Sequence, residues 1–303
     1  MRQFVGGRVL AGGALISVVF LVVFFFYSTL AEAVWRNTHN FTATLFLRPT
    51  DAGFLFEIGN YYFNGGAYDL VKAQRAYQEA IKIDENYPGP HYQLARIYFL
   101  KADYKTAKDF INEELVLQPD FKRSHYVRGL INAYSGNLEE AATDFLDFLD
   151  FDPGSWAAYN DLAFVYWKLG EYGQMKEAAQ NGLALNPGNA WLSLTLENAL
   201  FNLGQYQEAF NVLENAEAAI KNVSPTDWRK AYPGHNPQDA FLGVAQMEGI
   251  YYFNQGLLYE KLSRLSDAAD AFTAWLALNE KSGQNFEINS VKEKIAFLRS
   301  QKK

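Results

Sequence analysis

Trp167–Tyr172 reads WKLGEY and Phe201–Tyr206 reads FNLGQY, with their glycines 34 residues apart. A glycine at the end of an amphipathic run closes a helix in the left-handed conformation, so each stretch marks a helix–turn–helix corner. Gly136 carries the series back by the same step, and Tyr104, Leu138, Tyr172 and Tyr206 follow the same 34-residue spacing. Ala73, Ala107, Ala141, Met175 and Ala209 form a second column, and Glu85, Pro119, Pro153, Pro187 and Lys221 a third. Several independent columns on one period identify an internal repeat of paired helices. The alanines let the helices of a pair approach closely. The prolines stand where the second helix must stop, because proline cannot continue it. NPGNAW (Asn186–Trp191) and DPGSWAAY (Asp152–Tyr159) are then the joins between pairs.

This pattern resembles the tetratricopeptide repeat (TPR) family, whose signature is W-x2-L-G-x2-Y followed by Ala, Phe, Ala and a final Pro. Leu162, Ala163, Tyr166, Gly170 and Tyr172 match in the fourth repeat, and Gly204, Tyr206, Ala209, Leu213 and Ala216 in the fifth. The first matches at Ile58, Gly59, Tyr62, Ala73, Tyr77 and Ala80, with Gly65-Gly66 as a two-residue insertion at its corner. The sixth matches at Gln255, Gly256, Tyr259, Ala268 and Phe272. The third departs, with Arg128-Gly129 and Asn132 where Leu-Gly and Tyr are usual. The resemblance implies an all-α superhelical solenoid of about six helix–turn–helix repeats, because single repeats cannot bury their apolar face alone. The array is expected over residues 52–284, with a capping helix over 285–303 that carries Val291, Ile295 and Leu298 on one side.

Ahead of the array, Val9–Leu30 runs for 22 residues without a charge. At about 1.5 Å per residue this spans roughly 33 Å, enough for a bilayer core. Arg2 and Arg8 precede it, so the positive-inside bias puts residues 1–8 in the cytoplasm and the repeats outside, periplasmic or extracellular. Residues 31–51 are expected as a linker, with Leu45–Leu47 resting on the first repeat or the membrane surface. The rival reading is a signal cleaved near Ala33, since Ala31-Glu32-Ala33 has the small-x-small form of a cleavage site.

In the TPR family the first helix of each pair lines the concave surface. That implies groove residues Phe56, Asn60 and Phe63; Tyr92, Arg96 and Phe99; Arg123, Tyr126 and Leu130; Asn160, Phe164 and Trp167; Trp191, Asn198 and Phe201; and Phe253. Aromatics with Arg and Asn make a peptide-binding surface, offering large contact area at low entropy cost and amide groups for a main chain. One mode in the family grips a C-terminal carboxylate with Lys, Asn, Asn, Lys and Arg. Those positions here carry Phe56, Asn60, Gln93, Arg123 and Val127, so that clamp is not expected.

Composition narrows the chemistry. The net charge of −7 and the lack of a Lys/Arg cluster argue against nucleic acid. With no cysteine there is no disulfide, thiolate nucleophile or Cys-based zinc site. No phosphate loop, G-x-S-x-G or H-E-x-x-H occurs. His91 and His125 stand 34 apart, but equivalent residues of stacked helices lie roughly 10 Å from each other. That is too far for ligands ~2 Å from one zinc, so they read as packing histidines. Asp144, Asp147 and Asp150 are expected as a solvated stripe on the outer face of a second helix, and Asn40-Phe41-Thr42 matches a glycosylation sequon. Neither a cofactor nor a metal is expected, nor is a small-molecule substrate.

Between repeats five and six the ruler stretches. Ala209 to Ala268 is 59 residues, which places an insertion at 222–248. Ser224-Pro225 with Asp227, and Asn236-Pro237 with Asp239, read as helix starts. They predict a short helix near 225–231 and a long one from Pro237. Trp228, Arg229, Tyr232 and His235 are not accounted for by capping and are candidates for a specificity ledge beside the groove. The functional expectation is a membrane-tethered, non-catalytic scaffold that binds a protein or peptide in envelope assembly, secretion or complex assembly. The alternatives are a self-assembling structural subunit of a membrane complex and an auxiliary subunit of an envelope enzyme.

Overall fold

The computed structural model describes residues 26–65, 67–224, 237–279 and 285–301, without side-chain placement for 237–246 and 285–287. Most of the apolar segment 9–30, the expected short helix near 225–231 and the candidate ledge residues Trp228, Arg229, Tyr232 and His235 lie outside the described residues. Among the described residues, no helix is long and apolar enough to cross a membrane. All described regular structure is helical, and the described residues fall into two compact units, one up to Pro119 and one from Asp120.

The first unit contains α1 (residues 26–38), α2 (Phe41–Phe46), α3 (Ala52–Phe63), α4 (Leu70–Ile83), α5 (Pro90–Leu100) and α6 (Tyr104–Leu117). Pairing is sequential: α3 packs on α4, α4 on α5 and α5 on α6. Asp51, Asp69 and Asp103 open α3, α4 and α6, each side chain accepting a backbone N–H of the first turn. Gly89 opens α5 and has no side chain to do so. Glu114 of α6 takes over, its carboxylate accepting from Gly89 N at 3.0 Å and Tyr92 N at 3.1 Å. A fully buried carboxylate thus meets the positive end of a neighbouring helix.

Residues 31–51 are not a bare linker. Ala31 and Trp35 of α1 and Phe41 of α2 are buried in the same core as Leu55, Ile58 and Tyr62 of α3. The Trp35 ring meets Tyr61 edge-on at 5.3 Å, and Tyr62 Oη donates to the His39 carbonyl. Asn40, the sequon asparagine, caps α2 by accepting from Ala43 N. Leu45 and Leu47 pack on this core, while Phe46 points away, 82% exposed.

The second unit contains α7 (Lys122–Ser135), α8 (Leu138–Phe151), α9 (Trp156–Leu169), α10 (Tyr172–Leu185), α11 (Ala190–Asn202), α12 (Tyr206–Lys221), α13 (Pro237–Lys261), α14 (Leu265–Asn279) and α15 (Asn285–Ser300). Each helix packs on its sequence neighbour. The helix α13 starts at Pro237, where the Asn-Pro-x-Asp pattern places it, and Val291, Ile295 and Leu298 of α15 close the core over Phe272. Pro119, Pro153 and Pro187 each follow directly on the C-cap residue of a second helix, Gln118, Asp152 and Asn186. Lys221 stands in that column without proline's constraint, and α12 runs on through it to 16 residues.

At three corners a glycine takes the left-handed position: Gly136 (φ 89°), Gly170 (φ 77°) and Gly204 (φ 75°). The same position is held by Ala102 (φ 57°) and Ser263 (φ 59°) in the second and sixth repeats, where a Cβ strains it.

The third repeat's departure from the family pattern has its cause in one buried group. Asp144 was expected on the solvated stripe but is 3% exposed. Arg128 donates to its Oδ1 from Nε at 2.9 Å and from a terminal nitrogen at 2.6 Å, and Asn132 Nδ2 donates to Oδ2 at 2.8 Å. Arg128 and Asn132 are the residues that replace the usual Leu and Tyr. Substitution on α7 and the acid on α8 therefore form one satisfied polar set, as a buried charge requires. Asp147 and Asp150 remain exposed.

Candidate peptide-binding groove

The groove residues expected in the first unit are largely committed to one another. Phe63 is buried at 3%, with the Arg96 guanidinium 4.6 Å from its ring centroid. Its place is therefore in the core and not on a free face. Arg96 also donates to Gln93 Oε1 at 2.8 Å and lies 5.7 Å from the Tyr92 ring. Asn60 Oδ1 accepts from Tyr77 Oη at 2.8 Å and Gln93 Nε2 at 3.2 Å, and burial raises the Tyr77 pKa. Phe56 packs between Tyr77 and Tyr87, and Phe99 against Tyr104.

In the second unit five expected residues do converge. Asn160, Phe164 and Trp167 of α9 and Trp191 and Asn198 of α11 line one opening of about 370 Å³, shared with α13. Its remaining walls are Met175, Leu194, Thr195, Met247, Ile250 and Asn254. The indole of Trp167 is 40% exposed at the rim, with Lys168 Nζ 4.7 Å above its ring and 5.4 Å from that of Phe164. The first helices α9 and α11 thus place three aromatic rings, and α9, α11 and α13 one asparagine amide each, around one concavity, the composition of a site for an extended polypeptide.

Other expected residues lie elsewhere. Phe253 packs on Phe272 and Trp275 of α14 at 5.6 and 5.7 Å. Met247, Ile250 and Asn254, spaced three and four apart on the neighbouring face of α13, line the groove in its place. The insertion hid this register, because no ruler position crosses it. Phe201 packs on Tyr206 at 5.4 Å, at the corner of its repeat. Arg123 is exposed, and Tyr126 packs against Phe145 and Phe148.

Two carboxylates beside the opening were not singled out from the sequence. Asp161 shares a cavity of about 70 Å³ with Leu130, Tyr134, Asn160 and Phe164, and it accepts a hydrogen bond from Tyr126 Oη. Burial pushes its carboxyl up to about 7, against the downward pull of the Tyr126 and Asn160 hydrogen bonds. Glu197 on α11 is 2% exposed and accepts from Asn254 Nδ2 at 2.7 Å. Burial raises it to about 7 as well, with only the Asn254 bond opposing. The repeat ruler, once aligned on the structure, marks Glu197 as an anomaly. Gly59, Ala95, Gly129, Ala163 and Gly256 occupy the same position in the other repeats. At the glycines of this column even a methyl would strike the facing helix: a Cβ on Gly59 would lie 2.3 Å from the Tyr77 ring, and one on Gly256 2.7 Å from Phe272.

The histidines behave as repeat features. His91 Nε2 lies 3.3 Å from Glu113 Oε2, and His125 Nδ1 4.0 Å from Asp147 Oδ2, the same pairing one repeat apart. His125, Asp144 and Asp147 bring three donor atoms within 4.8 Å of one another. However, Asp144 is already matched by Arg128 and Asn132.

A tetratricopeptide repeat model matches residues 157–189, which cover most of α9 and α10. The TPR repeat-containing protein MJ1428 of Methanocaldococcus jannaschii is 24% identical over 217 residues, 70% of this chain. The chain spans only 35% of that relative's length. Among solved structures, PilW, a widely conserved type IV pilus biogenesis factor, aligns with a TM-score of 0.60 at 15% identity, covering 79% of this chain and 97% of PilW. YrrB, a TPR protein with an unusual peptide-binding site, aligns at 0.52 and 17% identity, over 73% of this chain and 100% of YrrB. At these identities the likeness establishes the fold: an all-α, TPR-like array of helix pairs.

Proposed function

We propose that this TPR repeat protein is a non-catalytic scaffold that holds an extended segment of a partner protein in the groove between α9, α11 and α13. The observation that carries this reading is the convergence of Phe164, Trp167 and Trp191 with Asn160, Asn198 and Asn254 around one opening. Rigid aromatics supply contact area, and amides can pair with a main chain that has no sheet edge to join. The fold it shares with PilW, a type IV pilus biogenesis factor, and YrrB, a TPR protein with an unusual peptide-binding site, supports the same class of role. The apolar run Val9–Leu30 supports tethering to a membrane, with the repeats outside the cytoplasm, in assembly of an envelope or secretion complex.

A photo-crosslinking amino acid at position 164, in membranes of cells that make the protein, tests this reading. One partner should be enriched over the same probe placed at Leu146, an exposed position on α8. Equal labelling from both positions, or no protein enriched, would overturn the groove as the binding site.

A further inference from the structure

We propose that the groove selects a basic side chain, arginine or lysine, on the bound segment, and that Asp161 and Glu197 supply the anionic charge that recognises it. The inference rests on the groove reading above. Three observations carry it. First, both carboxylates lie one residue behind the opening: Asp161 lines the small neighbouring cavity that shares Asn160 and Phe164 with it, and Glu197 is held by Asn254, which lines it. Second, neither forms an ion pair among the described residues. Asp161 is met by Tyr126 from α7 and by Asn160, with Tyr134 across its cavity, and Glu197 is met by Asn254 from α13. The cation at the rim, Lys168, lies over the rings of Trp167 and Phe164. Third, Glu197 occupies a position that packing gives to Gly or Ala in every other repeat described, so a long acidic side chain there runs against the requirement of close helix approach.

A carboxylate withdrawn from water, as Glu197 is fully and Asp161 in part, is costly as an anion when no cation meets it. An incoming guanidinium or ammonium removes that cost, and the flanking indole and phenyl rings attract a cation through their faces and its methylene stem through apolar contact. A citrulline or glutamine side chain of similar shape gains the second and not the first. Because the incoming charge lowers the carboxyl pKa values, binding releases protons, and affinity for a basic segment rises with pH from about 5 to 8.

Panning a random-nonapeptide phage library on the full chain, held in mild detergent, gives the test. Wild type should enrich arginine and lysine. Synthetic peptides from the selected sequences should bind about tenfold or more tightly than their citrulline-substituted copies at pH 8, and the gap should narrow at pH 5.5. Asp161→Asn/Glu197→Gln should keep binding the citrulline copies and lose the preference. Asp161→Asn alone, at a partly exposed position, provides a second variant if the double one is unstable. Peptides selected without basic enrichment, or a preference unchanged in both variants, would overturn the charge assignment and leave the groove standing. If nothing were selected above background, the groove reading would fall with it.

Discussion

Glu197→Gln should stabilise this protein at neutral pH and not in acid. The side chain is 2% exposed, has one hydrogen-bond donor, Asn254 Nδ2, and burial raises its pKa from 4.5 to about 7. A carboxyl with a raised folded-state pKa binds more protons in the folded chain than in the unfolded one. Its favourable contribution is complete below about 4.5 and is lost as pH rises through about 7. At roughly 1.4 kcal/mol per pH unit, ionising it at pH 8 costs up to about 3 kcal/mol relative to acid. Glutamine is a neutral amide of the same shape whose oxygen still accepts from Asn254. It should therefore recover about 1–3 kcal/mol at pH 8, a rise of roughly 3–10 °C in Tm for a unit of this size. Asp161 titrates in the same window but is present in both proteins, so it cancels in the difference. The assay is thermal unfolding by circular dichroism of both proteins from pH 4.5 to 8.5. A difference that stays flat across that range, or grows toward acid, would refute the buried-anion account of Glu197.

Further outcomes are expected for packing and for binding. Asp144→Ala should cost about 2–4 kcal/mol in urea unfolding by stranding Arg128 and Asn132, whereas Arg128→Leu/Asn132→Tyr/Asp144→Ala should recover most of it by restoring an apolar pair. Ala102→Gly should raise stability by about 1 kcal/mol by relieving the left-handed backbone at φ 57°, while Gly59→Ala should lower it by about 2 kcal/mol through collision with Tyr77, both read from unfolding midpoints. Trp167→Ala should weaken binding of the crosslinked partner by roughly 10–30-fold with little change in Tm, because the indole stands at the rim of the groove.

The helix pairs were legible in the amino-acid order because their causes are local. Proline after the C-cap, glycine in the left-handed turn and small residues at close approaches act within a few residues, and the 34-residue ruler repeats them. The start of α13 at Pro237 was readable for the same reason. The partners of long side chains were not. Asp144 belongs on an outer stripe by periodicity alone and turns inward only because Arg128 and Asn132 lie across the helix pair. Phe63 and Phe253 carry the chemistry of a groove, but neighbouring helices bury or cover them. The face of α13 that reaches the groove, and the acids Asp161 and Glu197 beside it, follow from how three helix pairs stack. Such contacts depend on Ångström-scale packing between residues dozens of positions apart, which no period in the chain encodes.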